Sequence, residues 1–222
     1  MWRDLLLVAS KDLRIEWRSK VGTGQIAPFA LTVLLLFAFA LDPDRGVLVR
    51  AASGLFWVTV LLSTVLAVQR SFAIESTDGA RDGLRLSGLD PGAIFLGKAI
   101  AIVIQLLVLE VVLAMGVVVL YDAALGGALM LLLTCAFATI GIAACGTLYG
   151  VLAAGVRARE TLLPLLFLPV VAPVMLAAAR ASEAALAGSA ADGWPWVRLL
   201  AVFATIYAAV GTVAFGPLLE DG

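Results

Sequence analysis

Gln69–Lys98 reads QRSFAIESTDGARDGLRLSGLDPGAIFLGK. It is a polar island between two apolar runs, each long enough to cross a membrane. Four basic residues (Arg70, Arg81, Arg85, Lys98) and four acidic ones (Glu75, Asp78, Asp82, Asp90) cluster in it, with Leu84, Leu86 and Leu89 threaded between. A connector between two spans needs only a handful of residues. One this long, charged and amphipathic is expected to be a cytoplasmic loop that docks a partner.

Outward from the island, the chain is apolar. Of 222 residues, 63% are hydrophobic and 14% charged, and the mean hydropathy is +1.08. A soluble domain carries about a quarter charged residues, so this is an all-α integral membrane protein. A span takes about 20 apolar residues, and six segments qualify: Gly24–Leu41, Ala51–Val68, Ala99–Leu120, Leu125–Ala154, Thr161–Ala179 and Val197–Leu218. Six spans put both termini on one side. That side holds eleven basic residues: Arg3, Lys11, Arg14, Arg18, Lys20, Arg70, Arg81, Arg85, Lys98, Arg157 and Arg159. The other holds four, Arg45, Arg50, Arg180 and Arg198. Excess positive charge marks the cytoplasmic face. Both termini and the island are therefore expected in the cytoplasm, with the chain multi-pass in a bacterial inner membrane. No cleavable signal peptide is expected, since mixed charge precedes the first apolar run.

Before the first span, residues 1–20 read as an interfacial amphipathic helix. Trp2, Leu5, Leu6, Ala9, Leu13 and Trp17 fall within an arc of about 120° at 100° per residue, opposite Arg3, Lys11, Arg14 and Arg18. Leu7, Val8 and Ile15 blur the pattern. Trp2, Leu6, Leu13 and Trp17 are the expected membrane-surface contacts. In the fifth span, Pro164 suits a first helical turn, whereas Pro169 and Pro173 each remove a backbone hydrogen bond, predicting a bent or broken helix. Residues 180–196 read as a short periplasmic element ending at Trp194 and Trp196. Gly146 and Gly150 offer a close-packing face.

Motif chemistry excludes more than it includes. Gly92–Ala99 approaches a phosphate-binding loop, but Ala99 stands where Ser or Thr must hold magnesium, and Lys98 opens straight into a span. Lys98 reads instead as a snorkelling anchor. Asp78-Gly79-Ala80-Arg81 lacks the spaced aspartates of a metal-dependent phosphatidyltransferase. No catalytic residue or metal site is expected, and a membrane enzyme is the weakest reading. With no histidine, the chain offers no imidazole to zinc or haem. Cys135 and Cys145 lie about 15 Å apart along one helix, too far for a mutual disulfide. Glu110 is the residue most out of place, mid-span, where a carboxylate is costly. Two readings stand for it: a polar group lining a path or facing a partner subunit, or a protonated carboxyl bonded to a hydroxyl such as that of Thr139 or Tyr149.

Three stretches carry a family resemblance. Lys11–Ser19, KDLRIEWRS, resembles the interfacial helix of one family among the type-2 ABC exporter permeases. Gly54-Leu-Phe-Trp57 with the following VTVLLSTVLAVQRSF resembles the second span and loop start of that family, the haem-exporter permeases of cytochrome c maturation, CcmB. The island then continues as Glu75-x-x-Asp78-Gly79-x-x-Asp82-x-Leu84-x-Leu86, and LPLLFLPVVAPV of the fifth span also fits. Gln69 departs from the family's usual glutamate, and Gly88, Asp90 and Gly92 from its usual proline or leucine. The resemblance implies one permease domain, residues 1–222, of the type-2 ABC exporter fold, catalysing nothing alone. Its island, residues 69–98, would be a cytoplasmic coupling loop, with Arg70, Phe72, Glu75, Asp78, Gly79, Asp82, Leu84, Leu86 and Leu89 meeting an ATPase subunit, CcmA. ATP and Mg²⁺ would sit on that subunit. Membrane partners CcmC and CcmD are implied, and so is release of the haem-loaded periplasmic chaperone CcmE. Haem would be ligated elsewhere in the complex, with membrane lipid as the surrounding partner and no nucleic acid. An export permease for a drug, lipid or glycan shares the architecture and is the alternative.

Overall fold

The computed structural model describes residues 1–20, 22–41, 45–77, 88–121, 127–154 and 159–221, and every regular element among them is a helix. These are α1 (Trp2–Ser19), a π-helical turn (Gly22–Ile26), α2 (Ala27–Ala40), α3 (Arg45–Thr77), α4 (Pro91–Tyr121), α5 (Ala128–Ala154), α6 (Arg159–Leu186) and α7 (Ala190–Asp221). Helices α3 to α7 are each long and apolar enough to cross a membrane. The first expected span is the exception. It is the π-helical turn plus α2, and it supplies a sixth crossing only if α1 and α2, bent by 52°, count as one.

Helix α5 is the hub, packing on α3, α4, α6 and α7. Inside lipid there is little hydrophobic force between helices, so close backbone approach through small residues does the packing. Ala138, Ala143 and Cys145 are wholly enclosed on α5. A Cβ on Gly146 would sit 2.8 Å from Val68, and one on Gly150 would overlap the Phe72 ring, so the predicted glycine face is where α3 seats. Polar residues on α3 satisfy themselves: Thr59, Ser63 and Thr64 each donate at 2.8 Å to the carbonyl four residues back. Across the core, the Tyr121 hydroxyl donates to the Leu34 carbonyl at 3.0 Å and joins α4 to α2.

Three expectations need correction. The island is not a loop from 69 to 98. Helix α3 runs on to Thr77, because Phe72 still has α5 to pack against. Helix α4 begins at Pro91, a first helical position whose N–H would have no partner within the helix. Asp90 Oδ2 accepts the Ala93 N–H at 3.0 Å and caps it. Of the island, Asp78, Gly79, Asp82, Leu84 and Leu86 lie outside the described residues.

Of the bend or break expected at the three prolines, the break does not occur: α6 is one continuous helix, and Pro164 is inside it rather than in its first turn. Phe167, Val171, Val174, Ala177 and Ala178 on one face are fully covered, while Leu165, whose carbonyl Pro169 leaves without its helical partner, is 64% exposed, so packing on the covered face keeps the helix whole. Residues 180–196 form no separate element. Helices α6 and α7 are joined by a three-residue turn in which Gly188 adopts φ +71°, a left-handed conformation that glycine enters without a Cβ clash.

Candidate coupling site

Helices α1, α3 and α4 converge where the island begins and ends. The starting point is Gly97 on α4: a Cβ there would lie 2.8 Å from Val8 Cβ and 2.9 Å from the Leu5 carbonyl, so α1 crosses α4 at near backbone contact. The next residue, Lys98, is 1% exposed. Its Nζ lies 3.3 Å from Asp12 Oδ2 of α1 and 5.0 Å from the centre of the Phe72 ring of α3. A buried ammonium needs such partners. Lys98 is thus no snorkelling anchor: α1 caps it from the solvent side, and the charge is held inside the protein. One turn along α1, Glu16 Oε2 lies 3.9 Å from Arg70 Nε of α3. That is ion-pair range but beyond a hydrogen bond. Between these pairs lies a cavity of about 170 Å³, lined by Lys11, Asp12, Glu16, Ser71 and Gln105 with apolar Ala67, Ala101 and Ile102.

Helix α1 divides its apolar arc. Leu5 and Ala9, together with Val8, turn inward against α4. Trp2 (75% exposed), Leu6 (64%) and Trp17 (86%) face outward, with Leu13 half-buried between them. Val8, which blurred the periodicity, belongs to the packed face. Sequence reasoning missed Asp12 and Glu16. Four residues apart and on the Leu5–Val8–Ala9 side, they are carboxylates on a buried face, a pattern that calls for basic partners.

Of the predicted docking residues, the structure brings Arg70 and Phe72 into this cluster, places Glu75 in the last turns of α3, and packs half-buried Leu89 on the core just before α4. Glu110 lies elsewhere. It is 3% exposed on α4 and accepts a hydrogen bond from Thr139 of α5, one of the two hydroxyls named from sequence. Its Oε2 has no hydrogen-bond partner among the described residues. The side chain is enclosed within this chain rather than presented on its outer surface, which favours a structural role. Glu110→Gln, retaining an acceptor for Thr139, should leave activity per molecule near wild type. Glu110→Leu should lower stability by about 1–3 kcal/mol by stranding the hydroxyl. A Gln variant of normal abundance but lost activity would refute this.

Five helices among the described residues that are long and apolar enough to cross a membrane, with a charged joint between α1, α3 and α4, define a multi-pass membrane protein. The family described as CcmB protein matches residues 3–221, and the chain belongs to it. Relatives run nearly end to end. Heme exporter protein B of Rhodobacter capsulatus is 32% identical over 208 residues, 94% of this chain and 92% of the relative. That of Bradyrhizobium diazoefficiens is 27% identical over 216 residues, 96% and 95%. That of Haemophilus influenzae is 28% identical over 180 residues, 81% of each.

Proposed function

We propose that this CcmB-family chain is the membrane permease subunit of an ATP-driven haem-export system serving cytochrome c maturation. The observation that carries the reading is the likeness to heme exporter protein B relatives along nearly the whole chain. The π-helical turn with α2 enters the membrane as the sixth crossing of a type-2 ABC exporter permease, and α1, bent by 52° from it, lies along the surface. The excess of basic residues then sets both termini and residues 78–90 on the cytoplasmic side of the bacterial inner membrane.

In this reading the chain moves rather than catalyses. ATP and Mg²⁺ act on a cytoplasmic subunit, CcmA, which docks on residues 78–90 and the helix ends flanking them. CcmC, CcmD and the chaperone CcmE are the further members of the assembly, and haem is ligated on them, since imidazole is absent here. Outward-facing Trp2, Leu6 and Trp17 lie in the cytoplasmic headgroup layer, where indole is favoured.

The test is deletion of the gene with complementation, scored by haem staining of periplasmic c-type cytochromes. Holo-cytochrome should vanish while apo-cytochrome persists, and this chain alone should restore it. Normal holo-cytochrome in the deletion strain would sink the assignment and favour export of another substrate.

A further inference from the structure

The two halves of α1 are held differently. All three of its fully buried residues, Leu5, Val8 and Ala9, precede Asp12, and there the helix touches Gly97 at the distance of backbone contact. Beyond Asp12 the interface opens into the 170 Å³ cavity between α1, α3 and α4. That cavity is bridged by the long Arg70–Glu16 pair, with Arg70 Nε left without a hydrogen-bond partner among the described residues. A tight crossing beside a partly open cavity lets one element rock on another, because close-packed side chains resist displacement more than a loosely packed gap does.

We infer that the Lys98–Asp12 ion pair is a pivot, about which the second half of α1 swings into the cavity when the ends of α3 and α4 are displaced. Lys98 is well placed for this. It lies eight residues after Asp90, touches Phe72 of α3, and reaches α1 directly. Motion imposed on the polar segment therefore reaches α1 at a buried ammonium placed next to the Gly97 crossing. Asp12 and Lys98 are positioning residues, and they act through α1. The inference rests on the proposed function, since it takes the displacing force from an ATP-hydrolysing subunit.

The test uses the complete complex purified from membranes, with three readouts: permease abundance, co-purified ATPase activity, and holo-cytochrome yield per permease molecule. Asp12→Asn removes the negative charge facing the buried ammonium and should lower abundance about tenfold, more than Lys98→Met does, because Asp12 keeps some contact with water. Lys98→Met with Asp12→Leu should restore abundance, since an apolar pair can replace a buried ion pair. Its yield per molecule should still be about tenfold low, with ATP hydrolysis retained, the size expected for a broken coupling between sites. Ala101→Leu, which fills the cavity without touching the pair, should cut yield about fivefold at unchanged abundance. Wild-type yield per molecule from either the double variant or Ala101→Leu would overturn the pivot. Failure of the wild-type chain to retain any ATPase would instead overturn the proposed function, so the two are separable.

Discussion

Replacing Leu84 and Leu86 together by Asp is expected to release the ATP-hydrolysing subunit while the permease still inserts and folds. Each leucine buried in a partner's cleft contributes about 1.5–3 kcal/mol through its apolar area. Losing both weakens binding by about two to four orders of magnitude, before counting the desolvation of two new carboxylates. The helix ends that flank the segment are anchored independently. Phe72 is wedged against Gly150, and Asp90 and Pro91 start α4 by capping, so the substitutions need not disturb the bundle. The measurement is capture of the ATPase subunit by tagged permease in mild detergent, at matched permease abundance. Wild-type capture by the double variant would refute docking through these leucines. Loss of capture with lost permease abundance would be misfolding, and Leu84→Ala with Leu86→Ala then discriminates, because it removes apolar area without adding charge.

Much of the fold was legible because lipid imposes a single-letter grammar: runs of about 20 apolar residues must be helices. The runs that became α3 to α7 were all found this way. Their ends were not, because polar residues near a membrane surface fit a loop and a helix alike. Gln69–Thr77 is helical owing to Phe72, whose partner Gly150 lies 78 residues on, a contact that no local pattern carries. The start of α4 carried a local signal that the reading of a loop out to Lys98 passed over: Asp90 followed by Pro91 is an N-cap before an N1 proline. The continuous α6 shows the same limit. Proline penalties are local, and the packing of the covered face that keeps α6 whole is not. At the site, charge type was visible but pairing was not. Lys98 beside a span reads equally as an anchor reaching for water or a buried partner for Asp12, and only the crossing at Gly97 decides.

The Gly54–Trp57 stretch that carried part of the family likeness turns out to hold a structural tie, and its removal should be the costliest single change in the core. Trp57 is 1% exposed on α3, meets Phe56 edge to face at 5.3 Å, and donates from Nε1 to Ser182 Oγ of α6 at 3.0 Å. Tryptophan in membrane proteins usually sits at the water interface. Buried, its N–H must find an acceptor, and Ser182 is that acceptor. Trp57→Ala removes the ring and opens a cavity between α3 and α6, and should cost about 3–5 kcal/mol. Trp57→Phe preserves most of the volume but leaves the Ser182 hydroxyl unpaired, for about 1–3 kcal/mol, and Ser182→Ala strands the indole N–H at similar cost. The two together remove both partners of one bond, so Trp57→Phe with Ser182→Ala should be less destabilised than the sum of the singles. Thermal unfolding in detergent reads the series. The order Trp57→Ala below both singles, with a sub-additive double, is the expected result. A Trp57→Ala variant melting with the wild type would show that α3 and α6 are held together by something else. Because the tie is packing and not coupling, Trp57→Phe should still give wild-type holo-cytochrome per permease molecule, which separates it from the Lys98–Asp12 double variant.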